Sequence, residues 1–249
     1  MGRGARFRGP FPLWLMKGKI FTTITVIASA ALIAAGMILM VAGQSGVEQK
    51  PSPTLENAAH LDVDGGDACK IDWLQLPATA IAWVKIPGTE IDYPVAQGTP
   101  DDPDFYLSHD IEGLYSVWGT PYVAADCTDG LASKLVVVYG HHMSDGTIFA
   151  DLAGFSDEDY AKEHEDVILY AREGERNLKV AAVNVVDASY EQPIYDFEDW
   201  EELSEYMNSM VAESEVVLRD IPEERQVYAF VTCSYQTSNS RTIVYAIEE

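Results

Sequence analysis

Cysteine is scarce: the 249 residues contain Cys69, Cys127 and Cys233 and no other. Three are too few for a disulfide scaffold, so a hydrophobic core must hold the fold together. An odd count in an exported domain leaves at least one thiol unpaired, and a Cys69–Cys127 bridge would make Cys233 the free one. Positive charge is also scarce, with 16 Lys and Arg against 40 Asp and Glu. Arg3, Arg6, Arg8, Lys17 and Lys19 sit in an acid-free leader, which leaves 11 bases against 40 acids, a balance of −29, for the rest. An exterior that acidic argues against nucleic acid or anionic lipid as partners. Its plain uses are solubility or adaptation to salt or acid. There is no EF-hand loop, internal repeat or low-complexity tract. His141 and His142 are adjacent, and neighbours on an extended chain face opposite ways, so a shared metal ion is not expected. The reading calls for no cofactor.

One long apolar run is present. Residues 20–43, "IFTTITVIASAALIAAGMILMVAG", form 24 residues without a charge. That length crosses a hydrocarbon core as a helix, whereas a cleavable signal peptide has an apolar core of only about 7–15 residues. The expectation is an uncleaved signal-anchor at 20–43, with residues 1–19 as a basic cytoplasmic leader and the bulk of the chain outside. Residues 44–70 are polar, with Pro, Gly and Ser and no apolar period, and read as an extracytoplasmic linker.

From residue 71 to 249 the texture is that of one folded domain rich in strands. "IDWLQLPATAIAWVKIP" predicts a turn or short helix and then a strand, and "IPGTEIDYPV" predicts a hairpin through Pro-Gly. "KLVVVYG" (134–140) is a continuous β-branched run ended by glycine, the pattern of a buried strand. "DVILYAREGERNLKVAAVNVVDA" predicts two strands joined through Glu-Gly-Glu, and "RQVYAFVT" and "RTIVYAI" two more. Short strands punctuated by turns point to an all-β barrel or sandwich.

Residues 197–215 interrupt this pattern. Trp200, Leu203, Met207, Met210 and Val211 recur at helical spacing, and acids crowd the first turn, which suits the helix dipole. A helix in so long a connection either serves the site or caps one end of the barrel.

Three residues fit acyl-transfer chemistry. Cys233 stands where an apolar strand meets a polar loop, His141 directly follows "VVVYG", and Arg241 opens the strand after the cysteine loop. A thiolate attacks carbonyl carbon. An imidazolium stabilises it and protonates a leaving amine, and a guanidinium holds a carbonyl or an oxyanion at any relevant pH. Backbone donors around the cysteine make Thr232 and Ser234 candidates for contact with substrate. Tyr190, Ile194 and Tyr195, in the loop before the helix, either line the cleft or pack the helix onto the barrel. Taken singly, each of the three polar residues also has an ordinary reading: a buried thiol, a structural histidine and a solvated arginine.

Together, "WVKIPGTEIDYPVAQG", "DFYLSHDIEGLYS", "VVVYGHHMSDGTIFADL" and "FVTCSYQTSNSRTIVYA" resemble a class B sortase, in the family's order over most of residues 71–247. The resemblance implies a closed β-barrel with peripheral helices, one of them in the long connection before the cysteine strand. It makes residues 71–249 the catalytic domain, Cys233 the nucleophile, His141 the general acid and base, and Arg241 the residue that stabilises substrate and oxyanion. It further implies a transpeptidase on the outer face of a Gram-positive type of membrane. Such an enzyme cleaves sorting motifs of exported proteins and passes them to an amine of a cell-wall precursor or a pilin. Two departures stand out. The family's Thr-Leu-x-Thr-Cys is "AFVTC" here, and His142 occupies a position where Asn is common, so the sorting motif does not follow from the family. The rival functions are a surface cysteine hydrolase with water as acceptor and an inactive, sortase-like binding module.

Overall fold

In the computed structural model the described residues are 71–187, 195–234 and 240–249. The leader, apolar span and linker, together with Cys69, Tyr190 and Ile194, lie outside them. Among the described residues no helix is long and apolar enough to cross a membrane.

The apolar runs become strands: β1 (Ala80–Lys85), β2 (Asp92–Gln97), β3 (Tyr122–Val123), β4 (Leu135–Gly140), β5 (Asp166–Ala171), β6 (Gly174–Asp187), β7 (Val216–Val217), β8 (Val227–Ser234) and β9 (Ser240–Glu248). They pair in the order β5-β1-β2-β3-β4-β8-β9-β6, and β5 also pairs with β6, so eight strands close into a barrel. Closure leaves no unpaired edge in that ring. The short β7 adds to β6 from outside it, through Ala182↔Val217 and Val183↔Val216.

The hairpins expected from the turn residues form. β1 and β2 pair antiparallel around Pro87-Gly88, where Gly88 has φ +83, a conformation that costs glycine little. Across that hairpin Asp92 accepts bonds from Trp83 Nε1 (2.6 Å) and Lys85 Nζ (2.8 Å). The β5–β6 turn falls one residue earlier than Glu-Gly-Glu suggests. Ala171 pairs with Gly174, so Arg172 and Glu173 form the corner and Gly174, at φ +150, begins the next strand.

Two pairings, β2–β3 and β4–β8, are parallel. Parallel neighbours need a crossover between them, and the crossovers carry the helices. Between β4 and β8 lie the 3-10 stretch Ala150–Ser156, α1 (Glu158–Glu163) and α2 (Trp200–Ala212). Asp157 caps α1 by accepting from the N–H groups of Asp159 and Tyr160. Asp199 caps α2 by accepting from Glu202 N–H (2.9 Å), and the Glu202 carboxylate returns to Glu198 N–H (2.6 Å), a reciprocal arrangement that satisfies orphan donors. As the spacing predicts, α2 buries Leu203 and Met207, with Trp200, Met210 and Val211 partly buried beside them.

The core is aromatic and branched aliphatic. Trp83, Tyr228, Tyr245, Phe149, Phe155 and Phe230 are its largest fully buried side chains, each contributing on the order of 2 kcal/mol by burial. Cys127 is buried in the same core as a free thiol, bonded through sulfur to Leu135 O and Val137 N–H.

Candidate active site

Strand direction brings the three polar candidates together. β4 and β8 run parallel with Gly140 beside Thr232, so the next residue of each chain, His141 and Cys233, emerges at the same barrel edge. β9 returns antiparallel to β8, and its register sets Arg241 directly across from Cys233. All three line one cleft of about 360 Å³. Cys233 is exposed, and His141 and Arg241 are half-buried.

The supporting contacts are local. Thr232 is buried, and its Oγ1 donates to Gly140 O (2.9 Å), tying the ends of β4 and β8 together one residue before the histidine and the cysteine. Thr232 therefore lines the cleft while its hydroxyl is used for positioning. His141 Nε2 lies 2.7 Å from Leu107 O. A carbonyl can only accept, so Nε2 carries the proton and Nδ1 is the second ring nitrogen available. The His141 carbonyl accepts from Phe149 N–H (2.9 Å), and between them Ile148 is held at φ +61. A β-branched residue in that region is strained, and the strain sits in the loop that carries His141.

Glycine is required at 140. A Cβ there would come within 2.5 Å of the Phe149 ring, so the buried phenyl occupies the space of the missing side chain. The glycine that ends "VVVYG" is thus a packing requirement at the residue before the histidine.

Tyr195 lines the cleft and shares a hydrogen bond with Tyr139 through their hydroxyls (2.6 Å). It also packs against the core. No residue of α2 lines the cleft; Tyr195, just before that helix, does, and the other lining residues come from the barrel strands, from His141 and from the segments flanking β3. Ser234 ends β8 opposite Ser240.

Several lining residues escape the sequence reading: Asp104, Leu107, Tyr122, Ala125, Asp126 and Tyr139. Tyr122 is buried, and its hydroxyl donates to Asp104 Oδ1 (3.2 Å). Burial first, and then the Asp104 charge and hydrogen bond, push its pKa well above that of an ordinary tyrosine, against the opposing pull of Arg241. Tyr122 is therefore neutral and a donor at any physiological pH. For Asp104 and Leu107 the signal was the short segment "DFYLSHDIEGLYS", whose lack of period hid which side chains reach the cleft.

The fold and the cleft agree with one family. The family model of the sortase domain matches residues 84–249. Sortase B of Listeria monocytogenes is 34% identical over 73 residues, which span 29% of this chain and 29% of that protein. The X-ray structure of Clostridium perfringens sortase B superposes with a TM-score of 0.63 at 27% identity, covering 69% of this chain and 94% of that one. Sortase B from Listeria monocytogenes is alike in fold, with a TM-score of 0.61 at 22% identity over 68% of this chain and 94% of that one. The chain belongs to the sortase family, and its relatives are of class B.

Proposed function

We propose that the chain is a membrane-anchored cysteine transpeptidase. The observation that carries this reading is the convergence of Cys233, His141 and Arg241 on one cleft, at the edge set by the parallel β4–β8 pair and the β8–β9 hairpin.

The Cys233 thiolate attacks the scissile carbonyl of a sorting motif near the C-terminus of an exported protein. The new C–S bond pushes the carbonyl electrons onto oxygen, and Arg241 and nearby backbone N–H groups stabilise that oxyanion. Collapse breaks the C–N bond, and the leaving amine takes a proton from His141. A thioacyl-enzyme remains. An acceptor amine then attacks it, gives its proton to His141, and releases the product with the thiolate restored. The amine belongs to a cell-wall precursor or to a pilin lysine. Residues 20–43 anchor the protein, residues 1–19 face the cytoplasm, and residues 44–70 link the anchor to the catalytic domain at 71–249, outside the cell.

Incubating the full chain in detergent micelles with sorting peptides, with and without an amine, tests this. A peptide–amine adduct that grows with amine concentration is the expected product. Hydrolysis that ignores the amine would make the protein a surface cysteine hydrolase, and no turnover of any peptide would leave a binding module. Arg241→Ala is expected to lower turnover about 10²–10³-fold, the usual cost of losing an oxyanion donor.

A further inference from the structure

The loop that carries His141 is clamped at its base and held at its tip. At the base, Phe149 N–H donates to His141 O (2.9 Å) and His142 bridges to Ile148. At the exposed tip, Asp145 Oδ1 accepts from the Thr147 hydroxyl (2.6 Å) and the Thr147 N–H (3.1 Å), which closes a turn. The other oxygen, Oδ2, accepts from Trp118 Nε1–H (3.1 Å), 27 residues away along the chain. Bonds from the Thr147 hydroxyl, then from Trp118, then from the Thr147 N–H hold the Asp145 carboxyl below the usual carboxylate range, so the tip is anionic at neutral pH.

Trp118 is half-buried against the core, and the segment around it lies along the 3-10 turn Phe105–Leu107. Ser116 N–H donates to Ser108 O (2.9 Å), and Thr120 N–H donates to Tyr106 O (2.8 Å). Between them Gly119 is buried at φ +62 and packs on the carbonyls of that turn. A Cβ on Gly119 would strike Tyr106 O and come within 2.9 Å of Leu107 O. Leu107 O is the acceptor beside His141 Nε2 (2.7 Å). A closed circuit results, from Leu107 to His141, Asp145, Trp118, Gly119 and back to Leu107. Trp118, Gly119 and Asp145 do not line the cleft.

Resting on the transpeptidase reading, we propose that Trp118, Gly119 and Asp145 are positioning residues that set the His141 imidazole. They fix, from two sides, the loop that bears the ring and the carbonyl that receives its Nε2–H. Nε2 then keeps its proton, and Nδ1 is the nitrogen left for proton transfer. Such a latch acts on the chemical step and not on the binding of peptide.

Two substitutions open the circuit at one bond. Trp118→Phe keeps an aromatic body and removes the N–H. Asp145→Asn keeps Oδ1 for Thr147 and sets an NH2 group against the indole donor. The full chain in detergent micelles is given a sorting peptide without an amine, and acyl adduct per mole of folded protein is followed by intact mass. Each variant is expected to lower the maximal rate of acylation about 10–100-fold, the scale of a misplaced acid–base group, with KM within about twofold of wild type. The double variant should be no slower than the slower single one, because both break the same bond. A second readout needs no turnover: nitrogen NMR of the histidine-labelled chain, with His141 assigned by its loss in His141→Gln. The neutral His141 ring should be the Nε2–H tautomer in wild type and a mixture of tautomers in both variants. A wild-type rate together with an unchanged His141 tautomer in both variants would overturn the proposal. So would an effect on KM alone, or a slower rate with the His141 spectrum unchanged, which marks a merely structural loss. A wild-type chain that acylates no peptide would overturn the transpeptidase reading, and the spectra would still decide the latch.

Discussion

At Gly140 the absent side chain is what lets the loop bearing His141 leave β4 against the Phe149 ring, because a Cβ would meet that ring at 2.5 Å. Phe149 is fully buried and packs edge-on to Phe230, so it has little room to retreat. Gly140→Ala is therefore expected to destabilise the protein by about 1–3 kcal/mol, the usual range for overpacking a core. Equilibrium denaturation measures this, and trimming the ring with Phe149→Leu in the same chain should recover part of the loss. An additive double variant would mean that the two residues do not press on each other. The Cys233–Arg241 juxtaposition was legible from the sequence because both ends of one hairpin fall in a 17-residue stretch. His141 was legible as a residue type at a strand end. Tyr122 and Asp104 were not, because only a two-residue β3 and a 3-10 turn bring them to the cleft.

The strands that could be read from sequence are those with long β-branched runs or marked turns, and they make up most of the barrel. β3 and β7, at two residues each, carry no period at all. Tertiary pairing makes them strands: β3 fills the gap between β2 and β4, and β7 joins β6. The parallel β4–β8 pair was hidden for another reason, since its partners are separated by about 90 residues and pattern reveals only local neighbours. Helix α2 was plain from its apolar stripe and its acidic start, and its cap has an energetic consequence. Asp199→Ala removes the acceptor for Glu202 N–H and is expected to cost about 1 kcal/mol of stability. Because α2 lines no part of the cleft, the same substitution should leave kcat/KM unchanged at temperatures where the protein stays folded. Parallel denaturation and turnover measurements check both halves of that expectation.

Over the whole molecule, burial holds several weak acids in their neutral forms. Desolvation raises the Cys127 thiol above its ordinary value of about 9, and it raises Tyr93, Tyr122 and Tyr228 above theirs of about 10. A raised folded pKa means that the unfolded chain loses these protons first as pH rises. The stabilisation is thus complete below about pH 9 and is lost progressively above it. Denaturation midpoints should fall steadily from about pH 9 upward, and a flat profile there would show that these groups are solvated. The two described thiols also differ in access. Cys233 is exposed and Cys127 is buried, so a thiol reagent should modify Cys233 in the folded protein and Cys127 only on unfolding.

The most direct test of the central claim is a covalent one. The full chain is incubated with a sorting peptide, quenched in acid, and analysed by intact mass and peptide mapping. The expected result is a mass gain equal to the acyl fragment, located on the peptide containing Cys233, released by hydroxylamine and absent from Cys233→Ala. Peptide cleavage by Cys233→Ala at the wild-type rate, or an adduct on any other residue, would contradict it.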